Sequence, residues 1–157
     1  SECFTKDIAF NVIPHIDVFL DNGYTKEEMK MIDETKKILN LPDLAITATC
    51  VRVPVFVGHS ESVNVQTEKD MTVSDLRKLL NQFPGVSVCD DVNNNEYPTP
   101  RDLAGRDETF VGRIRKDESQ ACGFDLWVVS DNLRKGAALN TVQIAESLVE
   151  LTVLNGC

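Results

Sequence analysis

The sequence is short of several things that would mark a specialised class. Two histidines, His15 and His59, are too few for a His-rich metal centre, and no metal is expected. Five cysteines, Cys3, Cys50, Cys89, Cys122 and Cys157, form an odd set with no Cys-x-x-Cys pair. That argues against a zinc ribbon or a complete disulfide framework, and it fits a reducing, cytoplasmic setting. No apolar run approaches the roughly 18–20 residues of a membrane helix, and no basic-then-apolar leader opens the chain. Positive charge is scarce too: 16 Lys and Arg against 25 Asp and Glu leave a net charge of −9, which disfavours nucleic acid and anionic membranes as partners. No Gly-x-Gly-x-x-Gly occurs, so these residues hold no glycine-rich dinucleotide turn. What is present, 42% apolar and 26% charged residues over 157 positions, is the mixture of one soluble globular domain, and neither an internal repeat nor a dividing linker interrupts it.

Hydrophobic period supplies the elements. Ile8 to Ile13 reads as a strand stopped by Pro14, and Asp21-Asn22-Gly23 as a turn. Thr25 stands three residues before Glu28, the spacing of a capping box, and Met31, Ile32, Thr35, Ile38 and Leu39 then share one face. A helix is expected from about Thr25 to Asn40, ended by Leu41-Pro42. Ile46 to Val57 is β-branched and alternating, Gly58-His59-Ser60-Glu61 breaks it, and a second strand from Ser62 to Thr67 suggests a hairpin or neighbouring strands. A short amphipathic helix over Thr72 to Phe83 closes at Pro84-Gly85, and a brief strand follows near Val86 to Cys89. Asp90 to Asp107 keeps neither period and reads as an exposed excursion. Phe110 to Arg115 and Phe124 to Ser130 read as strands, and Gly136 to about Leu151 as a long terminal helix packed on a sheet. The sum is an α+β domain with an open mixed, largely antiparallel sheet covered by helices.

Three places could carry chemistry. Arg52 lies in an otherwise apolar run and must either reach an edge or meet an anion. His59 follows Gly58 where the strand breaks, a place that can aim an imidazole into a cleft. Glu27 and Lys30, at i and i+3, offer one charge of each sign on one helix face. The residues alone leave open a blander reading, with Arg52 a snorkelling edge residue, Glu27 and Lys30 a solvated pair, and His59 an ordinary surface histidine.

The run Cys50-Val51-Arg52-Val53-Pro54-Val55-Phe56-Val57-Gly58-His59-Ser60 resembles the signature of the aspartate-semialdehyde dehydrogenase family. Ala9 to Asp17, Gly23 to Lys30, Glu34 to Ile38, Val111-Gly112-Arg113-Ile114-Arg115 and Asp131 to Ala138 are similar to that family in the same order, so the likeness extends from about Ile8 to Glu150. It implies a domain like the C-terminal domain of glyceraldehyde-3-phosphate dehydrogenase. It also implies the NADPH-dependent conversion of aspartyl phosphate to aspartate semialdehyde and phosphate, toward lysine, methionine and threonine, in a homodimer.

By the same resemblance His59 is the acid/base, Arg52 grips the substrate carboxylate, Glu27 receives the substrate amino group, Lys30 binds phosphate, and Asn132 lies near the nicotinamide. The family's nucleophile is a cysteine in an Asn-Cys-Ser or Asn-Cys-Thr context, which no cysteine here has. The expectation is therefore a single catalytic and dimerisation domain over residues 1–157, without the N-terminal domain that binds most of the NADP, and inactive alone. The terminal helix would pack on that domain. Two other readings stand beside it: a non-catalytic paralogue that keeps the fold for dimerisation, and a sister reductase acting on another acyl phosphate such as the acetylglutamyl one.

Overall fold

The computed structural model describes residues 3–154, with side chains to Thr152; Cys157 lies outside this range. The chain divides into two compact units, Ser1–Pro54 and Val55–Cys157.

The first unit is organised by helix α1, Lys26–Leu39. Its capping box is formed as the spacing requires: the Glu28 amide donates to Thr25 Oγ1 at 3.3 Å, and the Thr25 amide donates to Glu28 Oε2 at 2.8 Å. Asn40 closes the helix in the left-handed conformation at φ 54°, where an asparagine is tolerated. Glu28 also accepts the Cys50 amide on Oε1 at 2.8 Å, so the start of the helix is tied to the segment that carries Arg52. These backbone donors, Thr25's first, hold the Glu28 carboxyl below its ordinary range.

Two strand expectations fail here. Ile8 to Ile13 forms a turn, with Phe10 at φ 56°, the Asn11 amide bonded to Ile8 O at 3.1 Å, and the Asn11 side chain bonded to Asp7 O at 2.8 Å. Asparagine's local bonding outcompetes extension there. Ile46 to Val57 keeps the alternation, since Ile46, Ala48, Cys50 and Arg52 lie inward of exposed Thr47, Thr49, Val51 and Val53. It forms no ladder, and the bridge of Arg52 to Ile13 is isolated. Alternation fixes an extended backbone but not a partner, and Pro54 has no N–H to donate.

The second unit is built on a four-stranded sheet in the order β1-β4-β3-β2, from β1 (His59–Gln66), β2 (Val86–Val88), β3 (Thr109–Lys116) and β4 (Gly123–Ser130). The β1/β4 and β3/β4 pairs are antiparallel and β2/β3 is parallel, the open mixed sheet that was expected. Strand β1 pairs with β4 along its whole length, from His59 opposite Ser130 to Gln66 opposite Gly123, so the expected hairpin with the preceding segment is absent. His59 therefore begins a strand instead of sitting in a break.

Phe110, Val111, Ile114, Phe124 and Val129 form the core of this unit, and helix α2 (Val73–Gln82), capped by Thr72, packs on β2 and β3. The stretch from Asp90 to Asp107 is less exposed than its composition suggests. It holds the short helix α3 (Pro100–Leu103), Pro98 is fully buried, and Trp127 Nε1 donates to Pro98 O at 3.0 Å.

The terminal helix α4, Leu139–Leu154, starts after the expected Gly136 because Lys135 to Ala137 have non-helical dihedrals, with Gly136 at φ 95°. It does not pack on the sheet: Val142, Ile144, Leu148 and Val149 are 53–63% exposed. Apolar residues on every side of a helix mark burial, but they do not specify against what.

Candidate functional site

The residues singled out from the sequence fall into two groups, one on each unit. On the first unit, Glu27 and Lys30 project from the opening turns of α1 and form an ion pair at 3.4 Å, with Lys30's side chain 54% exposed and Glu27's 33%. So open a pair contributes little to stability and costs little to separate. Arg52 is fixed at the backbone by two bonds to Ile13, its N–H donating at 2.8 Å and its carbonyl accepting at 3.0 Å. Its guanidinium carbon lies 5.2 Å from the centre of the Phe4 ring, and among the described residues it has no carboxylate partner. A half-buried guanidinium whose fork has no partner among the described residues is suited to a planar carboxylate. His15, the other histidine, is stacked on Phe19 with ring centres 4.5 Å apart.

On the second unit the structure brings His59 and Asn132 to the same end of the β1/β4 pair. Gly58 enters β1 at φ 92°, and a Cβ there would meet Ser130 O at 3.2 Å and Pro100 Cβ at 3.3 Å, so only glycine fits without strain. The Gly58 amide donates to Asn132 Oδ1 at 3.2 Å. The backbone just before His59 is thereby pinned from both sides while its imidazole stays exposed.

Asp131, which the sequence reading passed over, sets Asn132 in place. It is buried, its Oδ2 accepts the Gly105 amide at 2.8 Å, its Oδ1 accepts the Leu133 amide at 3.0 Å, and its carbonyl accepts the amides of Arg134 and Lys135 at 3.1 and 2.9 Å. The Gly105 amide first, then those of Leu133 and Arg134 with the Arg134 charge, hold its carboxyl below the ordinary range. An aspartate immediately after a strand was the available signal, because its side chain caps the turn that follows. A second unforeseen pair is Asp90 with Arg77. The Asp90 side chain is 1% exposed, and its Oδ2 accepts Arg77 Nε at 2.8 Å and Nη2 at 2.6 Å.

Among the described residues no three His, Cys, Asp or Glu side chains gather as a metal site requires, and no helix is long and apolar enough to cross a membrane.

The arrangement so far is a carboxylate, an ammonium and a guanidinium on one unit, and an imidazole with a carboxamide on the other. Comparison with known proteins finds the same sequence pattern. The family described as "semialdehyde dehydrogenase, dimerisation domain" matches residues 1–135. The aspartate-semialdehyde dehydrogenase of Bacillus subtilis is 60% identical over 148 residues, which cover 94% of this chain and 43% of that protein. A crystal structure of aspartate semialdehyde dehydrogenase II from Vibrio cholerae, complexed with ASA, superposes with a TM-score of 0.89 at 51% identity, covering 94% of this chain and 43% of that one. The Candida albicans enzyme, solved with NADP, gives a TM-score of 0.65 at 27% identity over 81% of this chain and 41% of that one. These likenesses bear out the expected fold, that of the C-terminal domain of such enzymes. The chain spans under half the length of these relatives. With most of its length matched by the family's pattern and its fold shared with solved members, the chain belongs to the semialdehyde dehydrogenase family, in its dimerisation domain.

Proposed function

We propose that this chain is the substrate-binding and dimerisation half of a cytoplasmic, homodimeric, NADP-dependent aspartate-semialdehyde dehydrogenase, one catalytic domain completed by a separate domain for nucleotide and nucleophile. The observation that carries this reading is the pinned backbone before His59, which sets an exposed imidazole at the end of a rigid strand.

In this reading His59 takes the proton from a cysteine thiol supplied by the rest of the protein, then returns a proton as the tetrahedral intermediate collapses. Arg52 holds the substrate carboxylate through its unused fork, and the amino group sits against Glu27. Lys30 leaves its weak 3.4 Å pair with Glu27 to meet the phosphoryl oxygens as the ammonium of the substrate takes its place. The exchange leaves both charges compensated, which is why an exposed pair suits the role better than a buried one.

NADPH supplies the hydride when bound. This chain's share in holding it falls to Asn132, whose Oδ1 is occupied by Gly58 and whose Nδ2 has no partner among the described residues, a donor suited to a nicotinamide carbonyl. The bulk of the nucleotide needs a binding fold that these residues do not provide.

The test is NADPH-coupled turnover. In the complete protein His59→Ala should lower turnover by about 10²–10⁴ while substrate KM stays near the parent value. The 157-residue chain alone should match buffer. Turnover by the isolated chain, or a His59→Ala protein as fast as its parent, overturns the assignment.

A further inference from the structure

The Val111-Gly112-Arg113-Ile114-Arg115 run takes no part in the proposed chemistry, yet its Arg113, Ile114 and Arg115 line a concavity of the second unit. This is a groove of about 580 Å³ whose walls include Arg77, Arg113, Arg115, Tyr97, Asn95 and Val92. In a chain of net charge −9, three arginines, one from α2 and two from β3, line it.

Two of them are held in fixed orientations by their own chain. Arg77 is fastened to buried Asp90 through Nε and Nη2. Arg115 donates from Nη1 to Arg113 O at 2.9 Å and approaches Asp125 at 3.3 Å. Asp90 and Asp125 offset those two charges, so the uncompensated cation is Arg113, which has no carboxylate partner among the described residues.

Arg113 also sits where its backbone is at a disadvantage. The register of β3 against β4 slips between Gly112 and Arg115, and within this bulge Arg113 has φ 53°, the left-handed region in which glycine is at ease and a long side chain is not. The bulge is locked at its base, because a Cβ on Gly112 would come within 2.3 Å of Cys89 O. Strain of this kind, retained in a rigid frame and presenting a free charge in a concavity, is typical of binding positions. Beside it Tyr97 and Val92, 43% and 54% exposed, offer apolar surface.

We infer that this groove binds a small organic oxyanion, its carboxylate or phosphate group on Arg113 with Arg77 and Arg115 flanking, and its apolar body against Tyr97 and Val92. The inference does not depend on the proposed enzymatic reading, because every residue in it lies outside that chemistry.

The test titrates the 157-residue chain carrying Lys30→Ala, which silences the proposed phosphate contact, with benzoate, phenyl phosphate and inorganic phosphate by calorimetry. At least one of the two aromatic anions should bind, and the tighter of them identifies the anionic group. Arg113→Gly removes the charge and relieves the backbone, so it should melt no lower than its parent while losing that affinity about ten- to a hundredfold. Arg113→Asn, which also tolerates the left-handed region, should lose it likewise. Undiminished affinity in both variants, no binding of either aromatic anion, or inorganic phosphate binding as tightly as phenyl phosphate, overturns the inference.

Discussion

The two ends of the β1/β4 pair are built on opposite terms. At the Gln66/Gly123 end a cluster of polar side chains is committed to one another. Asn64 Nδ2 donates to Asp117 at 2.7 Å and to Asp125 at 2.9 Å, Gln120 Nε2 donates to Asn64 and to Asp117 at 2.8 Å each, and Ser119 donates to Asp117 from its amide and its hydroxyl. At the His59/Ser130 end the backbone is held too, by Gly58, Asn132 and Asp131, but the His59 imidazole and the Asn132 Nδ2 have no partner among the described residues. A network that satisfies itself stabilises the chain, whereas one that fixes the frame and leaves an imidazole and a carboxamide N–H open can serve a reaction.

Substitutions at the two ends should therefore separate stability from activity. The largest effect on folding is expected from Gly58→Ala, which forces a Cβ to within 3.2 Å of Ser130 O at φ 92° and should cost about 3 kcal/mol in denaturant unfolding. An unchanged midpoint would mean that this end is not rigid. Next, Asn132→Leu orphans the Gly58 amide and should cost about 1 kcal/mol with faster exchange at that amide, while Asn132→Asp, still an acceptor, should restore the protection. If the aspartate variant exchanges as fast as the leucine one, the bond to Gly58 is not what holds the turn.

A smaller effect is expected at the far end. Ser119 and Asn64 lower the Asp117 pKa to about 2, so the stability it contributes is present above its ordinary value of 3.8 and is lost as pH falls toward 2. Asp117→Asn should melt slightly lower at neutral pH and show a shallower fall on acidification, and parallel melting curves from pH 5 to 2 would count against the network. The smallest effect on folding belongs to His59→Ala, expected within about 0.5 kcal/mol of the parent because the side chain is exposed. A large loss of stability there would make His59 structural and erase the contrast between the two ends.

How much of this was legible follows from how local each feature is. Helix α1 was readable nearly to the residue, because Thr25, Glu28 and Asn40 act within one or two turns of backbone. The Ile46 to Val57 run was misread because alternation reports the conformation of a segment and says nothing of the edge it pairs with. The same limit turned His59 from a presumed break into the first residue of β1. The expected packing of α4 failed on similar grounds, since its composition names burial but not a neighbour. Asp131 and the Arg77–Asp90 pair escaped notice because a polar residue in a polar stretch shows its burial only in three dimensions.

By itself the sequence determined the helix caps, the helical runs, the extended runs other than Ile8 to Ile13, the acidic balance and the family. Those depend on side-chain chemistry within a few residues, or on a pattern spread along the chain. The tertiary structure alone decided that Asn132 reaches Gly58 across 74 positions, that β1 answers to β4, and that arginines from a helix and a bulged strand share one groove. Such pairings depend on which distant surfaces bury each other, and linear spacing carries no term for that.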